Sequence, residues 1–118
     1  MARQIKKIDY DPENDIFFIS NGDKVKASLD IGDFILDVSH DNFVCGLEIM
    51  DASENLGVSR ELLKNIQNIK MSVTYKTNHV HVLLLMTFKK KNKEINVPIP
   101  LTINLGHKSP TKEILLYN

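Results

Sequence analysis

The sequence has a single cysteine, no long hydrophobic run and no net charge, and each of these features limits what the protein can be. Cys45 cannot form a disulfide within the chain and lies in an apolar strand pattern, so we expect a buried thiol and a reducing cytoplasm. The longest apolar run, from Val82 to Met86, is far too short to cross a bilayer, and no signal-peptide core follows the basic start of the chain. We therefore predict a cytoplasmic protein with no membrane span.

Recognised catalytic patterns are missing too. The chain contains no Ser-His-Asp order of a catalytic triad, no phosphate-binding glycine loop and no dinucleotide fingerprint. These absences favour a non-enzymatic protein, for which we predict no cofactor and no catalytic residue.

Length and charge distribution predict one domain with two unlike halves. A chain of 118 residues with 42% hydrophobic and 25% charged residues fits one globular domain over residues 1–118. Residues 1–58 carry five basic and twelve acidic side chains, whereas residues 59–118 carry ten basic and three acidic ones. The halves are electrostatic complements, so they should attract within one chain or between copies of it. The simpler interpretation is that the charges cover two solvated faces.

The first half has the pattern of short antiparallel strands joined by tight turns, which is a meander. Strands are expected over residues 8–11, 16–19, 25–31 and 34–38, with a further strand entering the stretch from Gly46 to Ser53. Asn21-Gly22 is a strong hairpin signal and predicts that the second and third of these strands pair. Asp51 and Ser53 suit the start of a helix, because a short side-chain oxygen can accept hydrogen bonds from first-turn amides.

The second half predicts one short helix followed by three strands. Ser59 fits an N-cap, and Val58, Leu62 and Ile66 recur at the spacing of an amphipathic helix. Alternation then predicts strands over residues 69–75 and 80–88, the second of them central and covered on both sides, and a last strand over residues 95–105. Pro98 and Pro100 remove two donors from one side of this last strand, which favours an edge position. Residues 114–117 are apolar enough for a final short strand or a dimer contact. The predicted class is α+β, mainly antiparallel, with one short helix between two groups of strands.

Two stretches resemble the ends of a known family. They read Tyr-Asp-Pro-Glu-Asn-Asp-Ile-Phe-Phe-Ile over residues 10–19 and Val-Cys-Gly-Leu-Glu-Ile-Met-Asp-Ala-Ser over residues 44–53. This is similar to a family of small prokaryotic domains of unknown function that open with Tyr-Asp-x-Glu-x-Asp and close with Val-x-Gly-Ile-Glu-Ile-Leu-Asp-Ala-Ser. The match covers roughly residues 8–56. Asn42 stands where the family usually has glycine, and Leu47 replaces isoleucine.

The resemblance implies an antiparallel meander followed by a helix, with no established activity. Some small members are similar to antitoxin partners of small toxins. We assign a mainly structural role to the motif residues, which are Tyr10, Asp11, Asp15, Gly46, Glu48, Asp51 and Ser53.

An acidic set is the first candidate for chemistry. Carboxylates from two strands could hold a divalent cation or act as an acid/base pair around Glu48. The alternative is structural, because Asp commonly caps its own turn. The set consists of Asp9, Asp11, Glu13, Asp15, Glu48 and Asp51.

His79 and His81 are the second candidate, since a His-x-His pair on a strand places both imidazoles on one face. No carboxylate or cysteine nearby in sequence completes a ligand shell, so we assign no metal to the pair.

A basic hairpin tip is the third candidate, formed by Lys89, Lys90, Lys91 and Lys93. Such a tip can bind phosphates, but no interleaved aromatic or recognised nucleic-acid motif accompanies it. A solvated tip that discourages edge aggregation is the alternative.

The sequence as a whole favours an interaction module that associates with itself, as a homodimer. Two alternatives remain open. One is a regulator that binds nucleic acid or a toxin, like an antitoxin, through its basic second half. The other is a metal-dependent or acid/base enzyme that uses the acidic set.

Overall fold

The computed structural model describes residues 2–105, most of which lie in two antiparallel β-sheets. One sheet has the strand order β2-β3-β6-β5-β4 and the other the order β1-β7-β8-β9. The mainly antiparallel β architecture is thus confirmed, but the described residues contain two short helices instead of one. The elements are β1 (Ala2–Gln4), β2 (Lys7–Asp11), β3 (Ile16–Ser20), β4 (Val25–Ile31), β5 (Phe34–Ser39), β6 (Val44–Ile49), α1 (Ala52–Leu56), α2 (Arg60–Leu63), β7 (Ile66–Tyr75), β8 (His79–Lys90) and β9 (Lys93–Asn104).

The five-stranded sheet is not the simple meander that the sequence predicts. The strands β4, β5 and β6 do follow one another, but β3 pairs with β2 and β6 and does not pair with β4. The predicted Asn21-Gly22 hairpin is therefore wrong. Instead, the side-chain oxygen of Asn21 accepts a hydrogen bond from the backbone amide of Asp23 at 2.9 Å. The backbone amide of Asn21 donates to the Cys45 carbonyl at 2.9 Å. This local turn sends the chain to the far edge of the sheet.

Burial explains why β6 takes the central position. Its first four residues, from Val44 to Leu47, are all buried, whereas β4 buries none of its side chains fully. A strand with so little exposed surface gains most from having a neighbour on each side, and an alternating strand can lie at an edge. The expected burial of Cys45 is confirmed, since its side chain is fully covered.

The four-stranded sheet follows the predicted alternation closely. The strand β8 is central, and β9, with Pro98 and Pro100, is an edge strand in the described part of the chain. The expectation that β8 is covered on both sides is wrong. Leu83 and Leu85 are 36% and 39% exposed, because no described element packs on that side.

Both sheets bury their inner faces in one hydrophobic cluster. It includes Phe17 and Leu47 of the five-stranded sheet and Leu84 and Phe88 of the four-stranded sheet, all fully buried. Burying side chains of this size stabilises a fold by about 1.5–3 kcal/mol each. A hydrogen bond from the Val44 amide to the Tyr75 hydroxyl, 3.0 Å long, also joins the two sheets.

The helices are shorter than the sequence indicates. Ser59 caps α2 as predicted, because its side chain accepts from the Leu62 amide. The expected stripe through Ile66 is wrong, since α2 ends at Leu63 and Ile66 begins β7. No helix among residues 2–105 is long and apolar enough to span a bilayer. The predicted loop over 106–110 and the final strand or dimer contact over 114–117 lie outside the described residues.

Candidate functional site

The two family-like stretches meet at the carboxylate of Asp15. The Tyr10 hydroxyl donates to Asp15 Oδ1 at 2.6 Å, and the Ser53 hydroxyl donates to Oδ2 at 2.6 Å. The Ser53 amide donates to the same carboxylate at 3.0 and 3.2 Å. Asp15 is only 4% exposed, so this polar cluster is largely shielded from water.

Asp15, and not Asp51 as the sequence predicts, accepts the hydrogen bonds at the start of α1. The Asp51 residue precedes α1 in a left-handed conformation, with φ 46°, and its side chain makes no capping hydrogen bond. The amides of Ala52 and Ser53 donate instead to the carbonyl and the carboxylate of Asp15. A residue 38 positions away therefore holds the start of α1. The prediction that Asp51 caps with its side chain is wrong.

Arg60 completes the cluster, although no motif in the sequence singles it out. Its Nε lies 3.8 Å from Asp15 Oδ2, and its Nη1 donates to the Pro12 carbonyl at 3.0 Å. A positive charge in the first turn of a helix interacts unfavourably with the helix dipole. An arginine at this position therefore indicates a carboxylate nearby that compensates for it, and this is the one signal of the contact in the sequence. The contact links α2 to the turn before β3.

The cluster changes the proton affinity of its two acidic groups. Burial alone would raise the pKa of Asp15, but hydrogen bonds from Ser53 and Tyr10 and the positive charge of Arg60 outweigh it and lower the pKa below its usual value. Burial, together with the hydrogen bond to the Asp15 carboxylate, raises the pKa of Tyr10 to about 12. Asp15 is therefore ionised and Tyr10 neutral at pH 7. The two side chains are hydrogen-bonded to each other, which favours a structural role for the cluster in holding the two stretches together.

Asp11 fixes the turn after β2. Its carboxylate accepts from the amides of Glu13 and Asn14 at 3.0 and 3.1 Å and from the Asn14 side chain at 2.8 Å. The hydrogen bond from the Asn14 side chain is the main cause of a lowered pKa at Asp11. This is the self-capping turn expected of an aspartate at this position.

Glu48 lies away from this cluster. It pairs with Phe18 on one side and Ile35 on the other, which places it on the outer face of the five-stranded sheet, opposite to the inner face that Phe17 shares with the core. Asp9, the register partner of Phe18, lies on the same outer face. The acidic set is thus divided between the outer face and the turns that hold Asp15 and Asp51. Among the described residues, no three His, Cys, Asp or Glu side chains are grouped to hold a metal ion.

Gly46 is required by a close approach of strands. A Cβ atom at this position would lie 2.9 Å from Asp37 Oδ2 and 3.2 Å from both Asp37 Cβ and the Ile19 carbonyl oxygen. The motif glycine therefore permits β6 to fit between β3 and β5.

The two histidines of β8 do come together. Their Nε2 atoms lie 3.0 Å apart, and His81 Nδ1 lies 3.1 Å from Thr102 Oγ1 on β9. The rings meet edge to face, with centroids 4.6 Å apart. Thr102 could not be identified from the sequence, because its position opposite His81 depends on the β8 to β9 register.

The basic tip is a tight hairpin. Lys91 and Asn92 both adopt positive φ, as a two-residue turn between β8 and β9 requires. Lys89, Lys90 and Lys91 border a hollow beside α2 whose other lining residues are Ser59, Glu61, Leu62 and Asn65. Glu61 partly offsets the positive charge there.

Comparison with known proteins finds a family model and relatives that share part of this sequence. The sequence model of a family described as "Protein of unknown function (DUF2283)" matches residues 7–53, a span that includes Tyr10, Asp15 and Ser53. A protein of Methanosarcina mazei named "Putative hypoxanthine phosphoribosyltransferase" is 32% identical over 93 residues, which cover 78% of this chain and 76% of that protein. An uncharacterized protein of Methanocaldococcus jannaschii is 42% identical over 62 residues, about half of each chain. No solved structure matches with statistical significance.

Proposed function

The chain belongs to the DUF2283 family of proteins of unknown function, and we propose that it is a non-enzymatic cytoplasmic module that forms a homodimer through the outer face of its four-stranded sheet. This outer face is the side of β7, β8 and β9 that points away from the core. The observation that carries the proposal is the exposure of Leu83 and Leu85 at its centre. Its main members are Lys70, Ser72, Thr74, His79, His81, Leu83, Leu85, Thr87, Asn96, Pro98, Pro100 and Thr102.

The centre of this face is apolar. Leu83 lies opposite Pro100, and Leu85 lies opposite Pro98, so four apolar side chains adjoin on two neighbouring strands. Contiguous exposed apolar surface of this kind marks interaction sites on soluble proteins. A shallow groove lies beside Leu85 and is bordered by Lys70 and Pro98, so the surface is not flat there.

The face also carries few charges. Among the described residues the charged side chains around its apolar centre are Lys70, on β7, the cross-strand pair Lys89 and Glu94, and Lys76, which follows β7 beside His79. The outer face of the five-stranded sheet, in contrast, carries Lys7, Asp9, Asp30, Asp37 and Glu48. Depletion of charge is typical of interface centres, which favours the four-stranded sheet as the contact surface.

Symmetry favours a second copy of the same face as the partner. Opposite charges on the two halves of the chain would attract in a head-to-tail contact, but such contacts continue into open chains unless they close a ring. A twofold dimer uses one patch twice and closes at once. The nearly uncharged outer face can do this with little repulsion. Pro98 and Pro100 meanwhile hinder strand addition at the β9 edge.

Replacing both leucines with lysine should break the dimer. By sedimentation equilibrium, we expect the wild-type chain to have about twice its mass of 13.5 kDa and the Leu83→Lys, Leu85→Lys variant to have the mass of one chain. The variant should associate at least about 100-fold more weakly, because it places charges at the centre of the contact. Val25→Lys is the matched control, since Val25 is 48% exposed on the other sheet. It should remain dimeric. A wild-type monomer at high protein concentration would contradict the proposal.

The hollow beside the lysine tip supports a second candidate function, a regulator that binds nucleic acid. Such binding would weaken steeply with salt and would be lost in a Lys90→Glu, Lys91→Glu variant. Binding that ignores both changes would exclude this candidate.

The name of the M. mazei relative suggests a third hypothesis, an enzyme. Turnover of hypoxanthine with a phosphoribosyl donor by the purified chain would contradict the non-enzymatic proposal.

A further inference from the structure

We infer that His79 and His81 bind a divalent transition-metal ion of the zinc class, shared between two copies of the chain. This inference rests on the proposed dimer, because both histidines lie on the outer face that would form the contact. His79 is half-buried and His81 is exposed, so both rings can be reached from solvent in the single chain.

The distance between the two rings fits a common ion. Two nitrogens bound to one tetrahedral Zn²⁺ at about 2.0–2.1 Å each lie roughly 3.3 Å apart. The Nε2 atoms of His79 and His81 are 3.0 Å apart, close to the chelating separation, and the two rings must turn from facing each other so that both lone pairs point at one ion. Residues two apart on a strand point to the same side, which is why the backbone already holds the pair in position.

The contact between His81 and Thr102 is compatible with the tautomer that a metal needs. When Nδ1–H of His81 donates to Thr102 Oγ1, its Nε2 carries a free lone pair directed at His79. A hydrogen bond to the second ring nitrogen is the usual way in which proteins orient a histidine ligand. In the metal-free chain His79 can donate its Nε2–H to this lone pair, whereas binding an ion through Nε2 would require the neutral tautomer of His79 that carries its proton on Nδ1.

A second copy can complete the ligand shell. Tetrahedral sites take four ligands, and the described residues of one chain offer no third His, Cys, Asp or Glu to this pair. Sheets that pack face to face lie about 10 Å apart, and an imidazole reaches about half of that distance. A twofold axis parallel to β8, about 5 Å above the outer face, would therefore bring both histidine pairs to one point, while Leu83 and Leu85 pack against their own copies.

Zinc titration of the whole chain tests the inference. By isothermal titration calorimetry with ZnCl₂, we expect one ion per two chains for the wild type and no binding for His79→Ala or His81→Ala. Thr102→Val should weaken binding by about 10-fold or more, because it removes the group that orients His81. His40→Ala is the control, since His40 is exposed in a turn of the other sheet, and it should bind like the wild type. Co²⁺ should give the intense visible absorption of a tetrahedral site.

The outcomes separate this inference from the proposed function. A wild-type chain that is dimeric in the presence of a chelator but binds no Zn²⁺, or binds it equally well in both histidine variants, would overturn the metal site and leave the dimer standing. One ion per chain would overturn the shared site. A chain that stays monomeric with and without Zn²⁺ would overturn both proposals.

Discussion

Replacing Asp15 by asparagine is expected to lower the free energy of unfolding by roughly 2–4 kcal/mol. The carboxylate accepts hydrogen bonds from the Tyr10 hydroxyl and from the amide and hydroxyl of Ser53, all in a site that is almost closed to water. An asparagine side chain keeps one acceptor oxygen but turns an NH₂ group toward one of these donors. The buried donor then loses its partner, which costs more than the bond itself contributes.

Asp51→Asn is the matched control for this change. Both aspartates adopt left-handed φ values, 56° for Asp15 and 46° for Asp51, and asparagine tolerates that conformation as well. Because Asp51 makes no capping hydrogen bond, its replacement should change the unfolding free energy by less than about 0.5 kcal/mol. Urea denaturation followed by circular dichroism measures both variants. Equal losses for the two would contradict the role assigned to Asp15.

The effect of Asp15→Asn should depend on pH. The folded state lowers the pKa of Asp15, so the stability that its ionised form provides is present above the unfolded pKa of about 4 and is lost as the pH falls through the lower folded value. The difference between the wild type and Asp15→Asn should therefore shrink below about pH 4. A difference that stays constant into acid would show that the charge of Asp15 contributes little.

Local patterns in the sequence predicted most strands correctly because each depends on its own residues. Alternation from Ile69 to Tyr75 and from Val80 to Phe88 reflects one buried face, and the structure has the strands β7 and β8 there. Pro98 and Pro100 likewise predict the edge position that β9 has among the strands of residues 2–105. Each of these signals depends only on residues within the strand itself.

Pairing between distant strands could not be derived in the same way. The Asn21-Gly22 signal favours a hairpin, but β6, most of whose residues are buried, lies between β3 and β5 instead. The free energy gained by burying β6 depends on the assembled sheet and cannot be read from one turn. The candidate site follows from this order. Phe17 pairs with Ile49, so Asp15, just before β3, comes beside Ser53, just after β6. A meander without the β3 to β6 contact would leave Asp51 as the nearest capping residue.

The same contact explains why a side chain at residue 46 should be costly. Gly46→Ala is expected to lower the unfolding free energy by roughly 1–3 kcal/mol, because overpacking forces the surroundings to shift. The new Cβ would meet the Asp37 carboxylate at 2.9 Å and the Ile19 carbonyl at 3.2 Å. The carboxylate is also held by a 2.7 Å hydrogen bond from Ser28, and the carbonyl is part of the adjoining strand.

A double-mutant cycle with Asp37→Ala separates the two contacts. Removing the carboxylate relieves the closest approach to residue 46 but leaves the Ile19 carbonyl and the Asp37 Cβ position in place. The cost of Gly46→Ala should therefore fall by about 0.5–1 kcal/mol in the Asp37→Ala background without vanishing. If the cost is the same in both backgrounds, the carboxylate contact contributes nothing and the close approach of β3 and β6 alone requires glycine. If Gly46→Ala is neutral in the wild type, neither contact constrains this position.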